Sequence, residues 1–267
     1  MTQEALAEIV DLERYPIDRL DEPAARDLVA RCQEALAQEA LCALPDFVRA
    51  EALAAMVAEA ERLAPRAYRY DRPRIAYNAD PSGWPADHPR SVLHPCRYNQ
   101  VLNHDIPNDS PLRRLYLSPL LGAFLRRVLG FETLYISACP HLSLTLQFGG
   151  PGDCNGWHFD GNDVVFSLLL QAPERGGAFE VAPYIRSARE ENYLAVEAVF
   201  ADPVTNAQQP PLAPGTFTVF KGDLSLHRVS EIEGTRRRII ALFSYDRRPD
   251  QVFDQSYIEV LRSQRAG

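Results

Sequence analysis

Residues 156–171 read GWHFDGNDVVFSLLLQ, a histidine–aspartate motif that leads into a mostly apolar segment. The segment Val164–Leu170 has the length of a buried strand and is too short to span a bilayer. His158 and Asp160 are two residues apart, and side chains two apart on a strand point to the same face. One imidazole and one carboxylate can therefore reach a single metal ion, although such a tripeptide also arises by chance, with the histidine satisfied by a nearby turn aspartate.

Further strand-like segments surround this motif from about residue 131 onward. They are rich in β-branched and aromatic residues and alternate with Gly, Pro and Asp turns: TLYISAC, LSLTLQF, GAFEVAP, TFTVFKG and RIIALFSY. Several short strands at this spacing are typical of a sandwich or barrel. We expect a mainly β protein with helical additions (α+β), in which a jelly-roll core has helices packed outside it.

The N-terminal part has a different character. Apolar residues recur at helical spacing in three segments: 22–40, 49–63 and 118–130. Residues 64–112 are rich in turn signals and are expected to form a long functional loop with short strands. We expect one domain over residues 1–267, divided into an N-terminal helical and loop part, a jelly-roll core and a C-terminal helix: 1–130, 131–249 and 250–267.

Composition limits the classes of function. The chain has 267 residues, 46% of them hydrophobic, and a formal net charge of −8. A nucleic-acid-binding protein usually presents a basic face, so nucleic acid is a poor candidate partner and a small-molecule substrate a better one. The five cysteines are odd in number and include no CxxC pair, which favours free thiols in a reducing compartment. Residues 1–17 lack the apolar core of a signal peptide. We expect a cytoplasmic protein with no membrane association.

A third candidate metal ligand lies in GDLSLHRVSEIEGTR, residues 222–236. His227 follows a turn and begins a strand-like segment. Two histidines and one carboxylate on one face of an octahedron leave three positions open, which is the facial triad of non-haem Fe(II) oxygenases. The open positions suit a bidentate 2-oxo acid and O2.

A cation that binds the far carboxylate of such an acid is expected shortly after His227. Arg236 follows Gly234-Thr235 at the start of RRRIIALFSY, and its planar guanidinium suits bidentate binding of a carboxylate. Arg238 shares the face of Arg236 in an extended strand and is the alternative, whereas Arg237 points the other way.

Together, HFD, GGAFEVAP, LHRV and GTR resemble the double-stranded β-helix of the Fe(II)/2-oxoglutarate oxygenases in order and spacing, over roughly residues 140–246. The resemblance implies Fe(II), with 2-oxoglutarate and O2 as cosubstrates. GWHFDGNDVVFSLLLQ and GGAFEV, with the N-terminal YPI, are similar to a bacterial group that acts on free amino acids. That group contains lysine hydroxylases and radical halogenases, and its halogenases carry Gly where this chain has Asp160. The resemblance therefore implies hydroxylation.

Four other polar residues are candidate substrate contacts. Arg97 is equally a carboxylate clamp or a surface arginine paired with an acid. His141 and Asn155 flank the start of the core and of the motif strand, and either could line the pocket, although His141 alone is better explained as a satisfied core histidine. Asp163 could receive a substrate ammonium or cap a turn.

The sequence therefore predicts a 2-oxoglutarate-dependent hydroxylase of a small polar substrate, a free amino acid or a derivative. One alternative is a hydroxylase of protein or peptide side chains with the same fold. Another is a non-catalytic jelly-roll binding module with structural histidines. Desaturation, epimerisation or ring closure would use the same triad. The oligomeric state is open, with a homodimer among the alternatives.

Overall fold

The computed structural model describes residues 3–77, 80–253 and 258–259 of the chain. The α-helices are α1 (Gln3–Ala7), α2 (Pro23–Glu39), α3 (Ala50–Leu63), α4 (Pro111–Tyr116), α5 (Pro119–Leu129), α6 (Tyr193–Ala201) and α7 (Pro203–Asn206). Short 3-10 turns cover Ala64–Arg66 and Asn103–Asp105. The first strands are β1 (Leu41–Leu44), β2 (Tyr68–Asp71), β3 (Arg74–Ile75), β4 (Leu93–His94), β5 (Cys96–Val101), β6 (Tyr135–Ile136), β7 (Leu144–Gly149) and β8 (Cys154–His158). The remaining strands are β9 (Val165–Gln171), β10 (Arg175–Gly176), β11 (Phe179–Ala182), β12 (Phe217–Phe220), β13 (Leu226–Val229), β14 (Ile232–Glu233), β15 (Arg238–Phe243) and β16 (Tyr245–Asp246).

Ten strands form one antiparallel sheet in the order β1-β12-β9-β15-β7-β5-β8-β13-β11, with β2 paired to β5. Strands from both ends of this order, including β12 at one end and β13 at the other, line the same cavity. The sheet must therefore curl on itself, which produces the two facing halves of a double-stranded β-helix. The predicted jelly-roll fold with outer helices is confirmed.

Strand β15 shows how the sheet separates its two faces. Ile239, Ala241 and Phe243 belong to the main hydrophobic core, whereas the alternating residues Arg238, Ile240 and Leu242 line the cavity. Side chains alternate across a strand, so one face of the same strand packs under the helices and the other forms the wall of the site. β12 follows the same rule, with core positions alternating with cavity positions.

The helices cover the outer face of this sheet. Buried residues of α2, α3 and α5, such as Leu28, Met56 and Phe124, join the same core as the strands. In α5 the side chain of Ser118 accepts a hydrogen bond from the Leu121 amide, Pro119 occupies the first turn, and Gly130 ends the helix with φ 66°. These are the capping signals by which the sequence predicts this helix.

The predicted boundary at residue 131, between the N-terminal part and the jelly-roll core, separates strands that belong to one sheet. β1, β2 and β5 come from the N-terminal part, yet they are strands of the main sheet, and β5 lies between β7 and β8. The predicted C-terminal helix, 250–267, lies mostly outside the described residues; of those described, residues 250–253 are not helical and residues 258–259 are. Within the described residues, no helix has both the length and the apolar character needed to cross a membrane.

Candidate metal centre and its cavity

Two neighbouring strands bring the predicted metal ligands together. His158 is the last residue of β8 and pairs with His227 of β13 in the antiparallel register. Asp160 follows β8, and its carboxylate oxygens lie 3.5 Å from Nε2 of His158 and 3.3 Å from Nε2 of His227. One ligand atom from each residue lies within 4.8 Å of the others. This is close enough to share one ion, since metal–ligand bonds to nitrogen and oxygen are about 2 Å long.

Backbone carbonyls set the protonation of both imidazoles. Nδ1 of His158 lies 2.7 Å from the carbonyl oxygen of Gly156, and Nδ1 of His227 lies 2.9 Å from that of Ser225. A carbonyl oxygen only accepts, so each Nδ1 carries the proton and donates it. Each ring is thereby held with its Nε2 toward Asp160, which is the arrangement that holds metal-binding histidines in place.

The charges of the three side chains suit a divalent cation. Burial, with the nearby charges of Arg74 and His227, lowers the pKa of His158 to about 3, so this imidazole is neutral at physiological pH. Burial raises the pKa of Asp160, but its proximity to His227 and His158 outweighs this effect and holds the pKa well below its usual range. The centre offers two imidazole nitrogens and one carboxylate, which fits the facial triad that binds Fe(II).

The triad lines a cavity of about 200 Å³ that also contains a buried cation, Arg238. Arg238 is 8% exposed, and burial lowers its pKa to about 10, so it stays protonated at neutral pH. No acidic side chain of the described chain pairs with it. An unpaired buried charge is costly, and the cost is offset if an anion binds in this cavity.

Arg236, the first choice for binding the oxo acid, does not take this position. Gly234 turns the chain with φ 85° and β15 begins only at Arg238, so the strand alternation does not extend back to residue 236. Arg236 is exposed, and its Nη2 donates to the Pro173 carbonyl at 3.1 Å. Arg236 therefore does not line the cavity, whereas the alternative, Arg238, does.

Arg74 is a cavity residue that the sequence did not single out. It lines both the metal-site cavity and an adjoining cavity of about 530 Å³. Its Nη1 donates to Oδ1 of Asn155 at 3.4 Å, and no carboxylate among the described residues pairs with it. Arg74 begins the short strand β3 in a segment with several other arginines, and no spacing or motif distinguishes it from them.

Contacts around Phe159 connect the segment that carries Arg74 to the end of β8, the strand that carries His158. The Phe159 amide donates to the Ala76 carbonyl at 2.9 Å. The guanidinium of Arg186 lies 3.8 Å from the centre of the Phe159 ring and also pairs with Glu191 at 3.0 Å. Phe159 is therefore held between Arg186 and the segment that follows β3, while the residues on either side of it face the metal position.

Asn155 is the one candidate substrate residue that reaches the cavity. Arg97 does not reach it, because its Nε and Nη2 donate to the Gly152 carbonyl at 3.0 and 2.7 Å, and Nη2 pairs with Glu231. Arg97 is not among the residues that line this cavity, and its contacts match the alternative of an arginine paired with an acid.

His141 and Asp163 also lie outside the metal-site cavity. Nδ1 of His141 is 3.2 Å from Nδ1 of His104 at the protein surface. Asp163 is exposed and pairs with Arg247 at 3.1 Å beside a separate pocket. Both residues follow or precede core strands in loops that turn away from the metal, so their proximity in sequence does not carry over into space.

Several solved structures share this fold. A 2OG-Fe(II) oxygenase family oxidoreductase from Burkholderia pseudomallei aligns with a TM-score of 0.53 and 15% identity over 83% of this chain and 92% of its own. The non-heme alpha ketoglutarate dependent epimerase SnoN from nogalamycin biosynthesis gives 0.56 and 15% over 83% of each chain. EctD from S. alaskensis gives 0.52 and 21% over 81% of this chain and 76% of its own. No curated protein sequence matches this chain.

The curled sheet has the fold of the Fe(II)/2-oxoglutarate oxygenase class, with the His-Asp-His site in its cavity, as the sequence predicts. Within that class, the chain belongs to the family described as Halogenase D, which it matches over residues 24–259.

Proposed function

We propose that the protein is an Fe(II)- and 2-oxoglutarate-dependent dioxygenase that hydroxylates an unactivated C–H bond of a free amino acid or a close derivative. The observation that carries the proposal is the joint position of the three convergent ligands and the unpaired cation Arg238 in one cavity of about 200 Å³. A non-catalytic module has no need for two histidines whose Nε2 atoms converge on one carboxylate, nor for a buried arginine without a counterion.

His158, Asp160 and His227 would hold the iron, which with 2-oxoglutarate and O2 supplies the oxidising power for hydroxylation. Arg238 would bind the distal carboxylate of 2-oxoglutarate through two parallel N–H···O bonds. Ser167 and Thr218 line the same cavity, and their hydroxyl oxygens are 2.7 Å apart. This pair offers a further O–H donor to an anion on that wall.

Asp160 supports hydroxylation over halogenation. Its carboxylate lies against both imidazoles, so the protein itself supplies the third ligand. The amino-acid halogenases that this sequence resembles carry Gly at that position, which leaves room for a halide. A chain with Asp160 has no such vacancy, and we therefore assign it hydroxylation although its family is described as Halogenase D.

The adjoining cavity supports a small substrate with a carboxylate. Its volume of about 530 Å³ falls within the range of small-molecule sites. Polar groups line it together with Arg74: Gln100, Thr145, Gln147, Asn162 and Gln251. Asp160 is the one acidic residue among its described lining residues, and we assign that carboxylate to the metal. The net charge left for the substrate is positive, and Arg74 would hold the substrate carboxylate beside the iron.

The test is an anaerobic titration with Fe(II) and 2-oxoglutarate, followed by a screen of free amino acids for O2-dependent succinate release and for products 16 Da heavier. We expect a substrate among the free amino acids, and weaker turnover of its carboxamide, which lacks the anionic end. In Arg74→Gln this preference for the acid should shrink, whereas in Arg72→Gln, an exposed neighbour, it should persist.

The outcomes separate the parts of the proposal. If no ternary complex with Fe(II) and 2-oxoglutarate forms, the oxygenase assignment is wrong. If the complex forms but only peptides support succinate release coupled to product, the amino-acid assignment is wrong. If Arg74→Gln raises the requirement for 2-oxoglutarate and leaves substrate preference unchanged, Arg74 binds the cosubstrate instead.

A further inference from the structure

Gly222 lies beside Asp160 in the turn that precedes β13. A Cβ atom built on Gly222 would be 1.8 Å from Oδ2 of Asp160, 2.7 Å from Cγ and 3.1 Å from Cβ. These are the nearest atoms to that point, so the space that a side chain would need is filled by the Asp160 side chain. Non-bonded atoms require about 3.5 Å. A side chain at position 222 and the present position of the Asp160 carboxylate therefore exclude one another.

The backbone of Gly222 is not itself the reason for glycine. Its φ lies outside the left-handed region that disfavours other residues. The Asp160 amide donates to the Gly222 carbonyl at 3.0 Å, which fixes the two backbones against each other. An added methyl group thus cannot be relieved by moving the chains apart without breaking this bond. The remaining freedom is rotation of the Asp160 side chain about Cα–Cβ, and its staggered positions are about 120° apart.

We propose that Gly222 is a positioning residue that fixes the Asp160 carboxylate on the metal, so that Asp at 160 requires Gly at 222. The inference rests on the proposed role of Asp160 as an iron ligand. Rotation to another staggered position would take the carboxylate away from His158 and His227 while leaving the fold in place. A chain with glycine at position 160 carries no carboxylate there, so position 222 would be free to carry a side chain.

The test is a cycle of four proteins: wild type, Gly222→Ala, Asp160→Gly and the double variant. For each, the Fe(II) dissociation constant is measured anaerobically and the melting temperature is measured without metal. We expect Gly222→Ala to weaken Fe(II) binding by about 10- to 100-fold, the usual effect of losing the group that orients a ligand, with little change in the metal-free melting temperature. In the Asp160→Gly background the same substitution should weaken Fe(II) binding no further. Gly122→Ala in α5, where no heavy atom lies within 4 Å of the added Cβ, is the matched control and should bind Fe(II) like wild type.

Each outcome has one meaning. Wild-type Fe(II) affinity in Gly222→Ala, with Asp160→Gly weakened, overturns the positioning role. An equal loss in both backgrounds also overturns it, because the two positions would then act independently. If Gly222→Ala does not fold, the double variant must fold, since it lacks the clash; failure of both overturns the pairing. Wild-type affinity in Asp160→Gly instead refutes Asp160 as a ligand, and with it the proposed metal site.

Discussion

Replacing Arg238 should stabilise the metal-free protein and weaken cosubstrate binding. Burial lowers the pKa of this guanidinium to about 10, against about 12.5 for an exposed arginine. At 1.36 kcal/mol per pH unit, holding the charge in the cavity costs about 3 kcal/mol. Arg238→Met keeps the length of the side chain and removes the charge. We expect the free energy of unfolding of the metal-free protein to rise by about 1–3 kcal/mol, because part of the gain is lost where methionine packs imperfectly.

The same substitution should remove the partner of the 2-oxoglutarate carboxylate. Losing one member of a buried, hydrogen-bonded charge pair costs about 2–5 kcal/mol, which corresponds to roughly 30- to 5,000-fold in the dissociation constant. Arg238→Lys keeps the charge but not the fork and should cost about 10-fold or more.

The assays are urea denaturation of the metal-free protein and anaerobic titration of the Fe(II)-loaded protein with 2-oxoglutarate. Arg236→Met is the control, since that side chain is exposed, and it should change neither quantity appreciably. If Arg238→Met lowers the stability of the metal-free protein, the guanidinium has a stabilising partner and the reasoning from burial fails. If Arg236→Met weakens 2-oxoglutarate binding as strongly as Arg238→Met, the assignment of the cosubstrate cation is wrong.

Three further predictions concern the metal, the product and pH. His227→Ala should abolish Fe(II)-dependent succinate release while circular dichroism stays native; full activity would contradict the triad. With Asp160 intact, mass spectrometry of reactions in high chloride should show hydroxylated and not chlorinated product, and a dominant chlorinated product would refute the ligand assignment. Burial and the charges of Arg228 and Arg74 lower the pKa of His94 to about 4. The unfolded chain therefore binds this proton more tightly than the folded chain does. As the pH falls from about 6.5 to 4, protonation of His94 lowers the free energy of unfolding by up to about 3 kcal/mol. His94→Gln should flatten the urea stability curve in that window, and an unchanged slope would show that His94 is not the group responsible.

The metal ligands could be predicted from sequence because their positions depend on local rules. His158 and Asp160 are close in the chain, and His227 lies within a strand of a fold that other solved structures share. Their convergence therefore follows from the motif and the fold together, as the cross-strand register of His158 and His227 shows.

The choice between Arg236 and Arg238 depends on where β15 begins, and residue propensities locate the ends of strands poorly. Gly234 indicates a turn, but it does not indicate how many residues the turn contains. The positions of Arg74 and Arg97 are harder to predict, because both residues lie in a segment whose path depends on tertiary pairing. In that segment, β5 inserts between β7 and β8, and β3 lies beside β8. Pairing between strands that are distant in sequence leaves no local sequence pattern. The sequence therefore does not indicate that Arg74 lines the cavity while Arg97 donates to the Gly152 carbonyl.

The pairing of β1 with β12 also has a consequence for synthesis of the protein. Leu41 pairs with Phe220, and both side chains line the metal-site cavity. A ribosome that has not yet translated residue 217 has released the helices α1–α5 and the ligands His158 and Asp160, but β1 still has no neighbour in the sheet. Contacts between positions so far apart in sequence slow folding, and an unpaired strand edge promotes aggregation. The nascent chain therefore completes its active site late, and translation speed over the second half of the message should influence the yield of folded enzyme more than speed over the first.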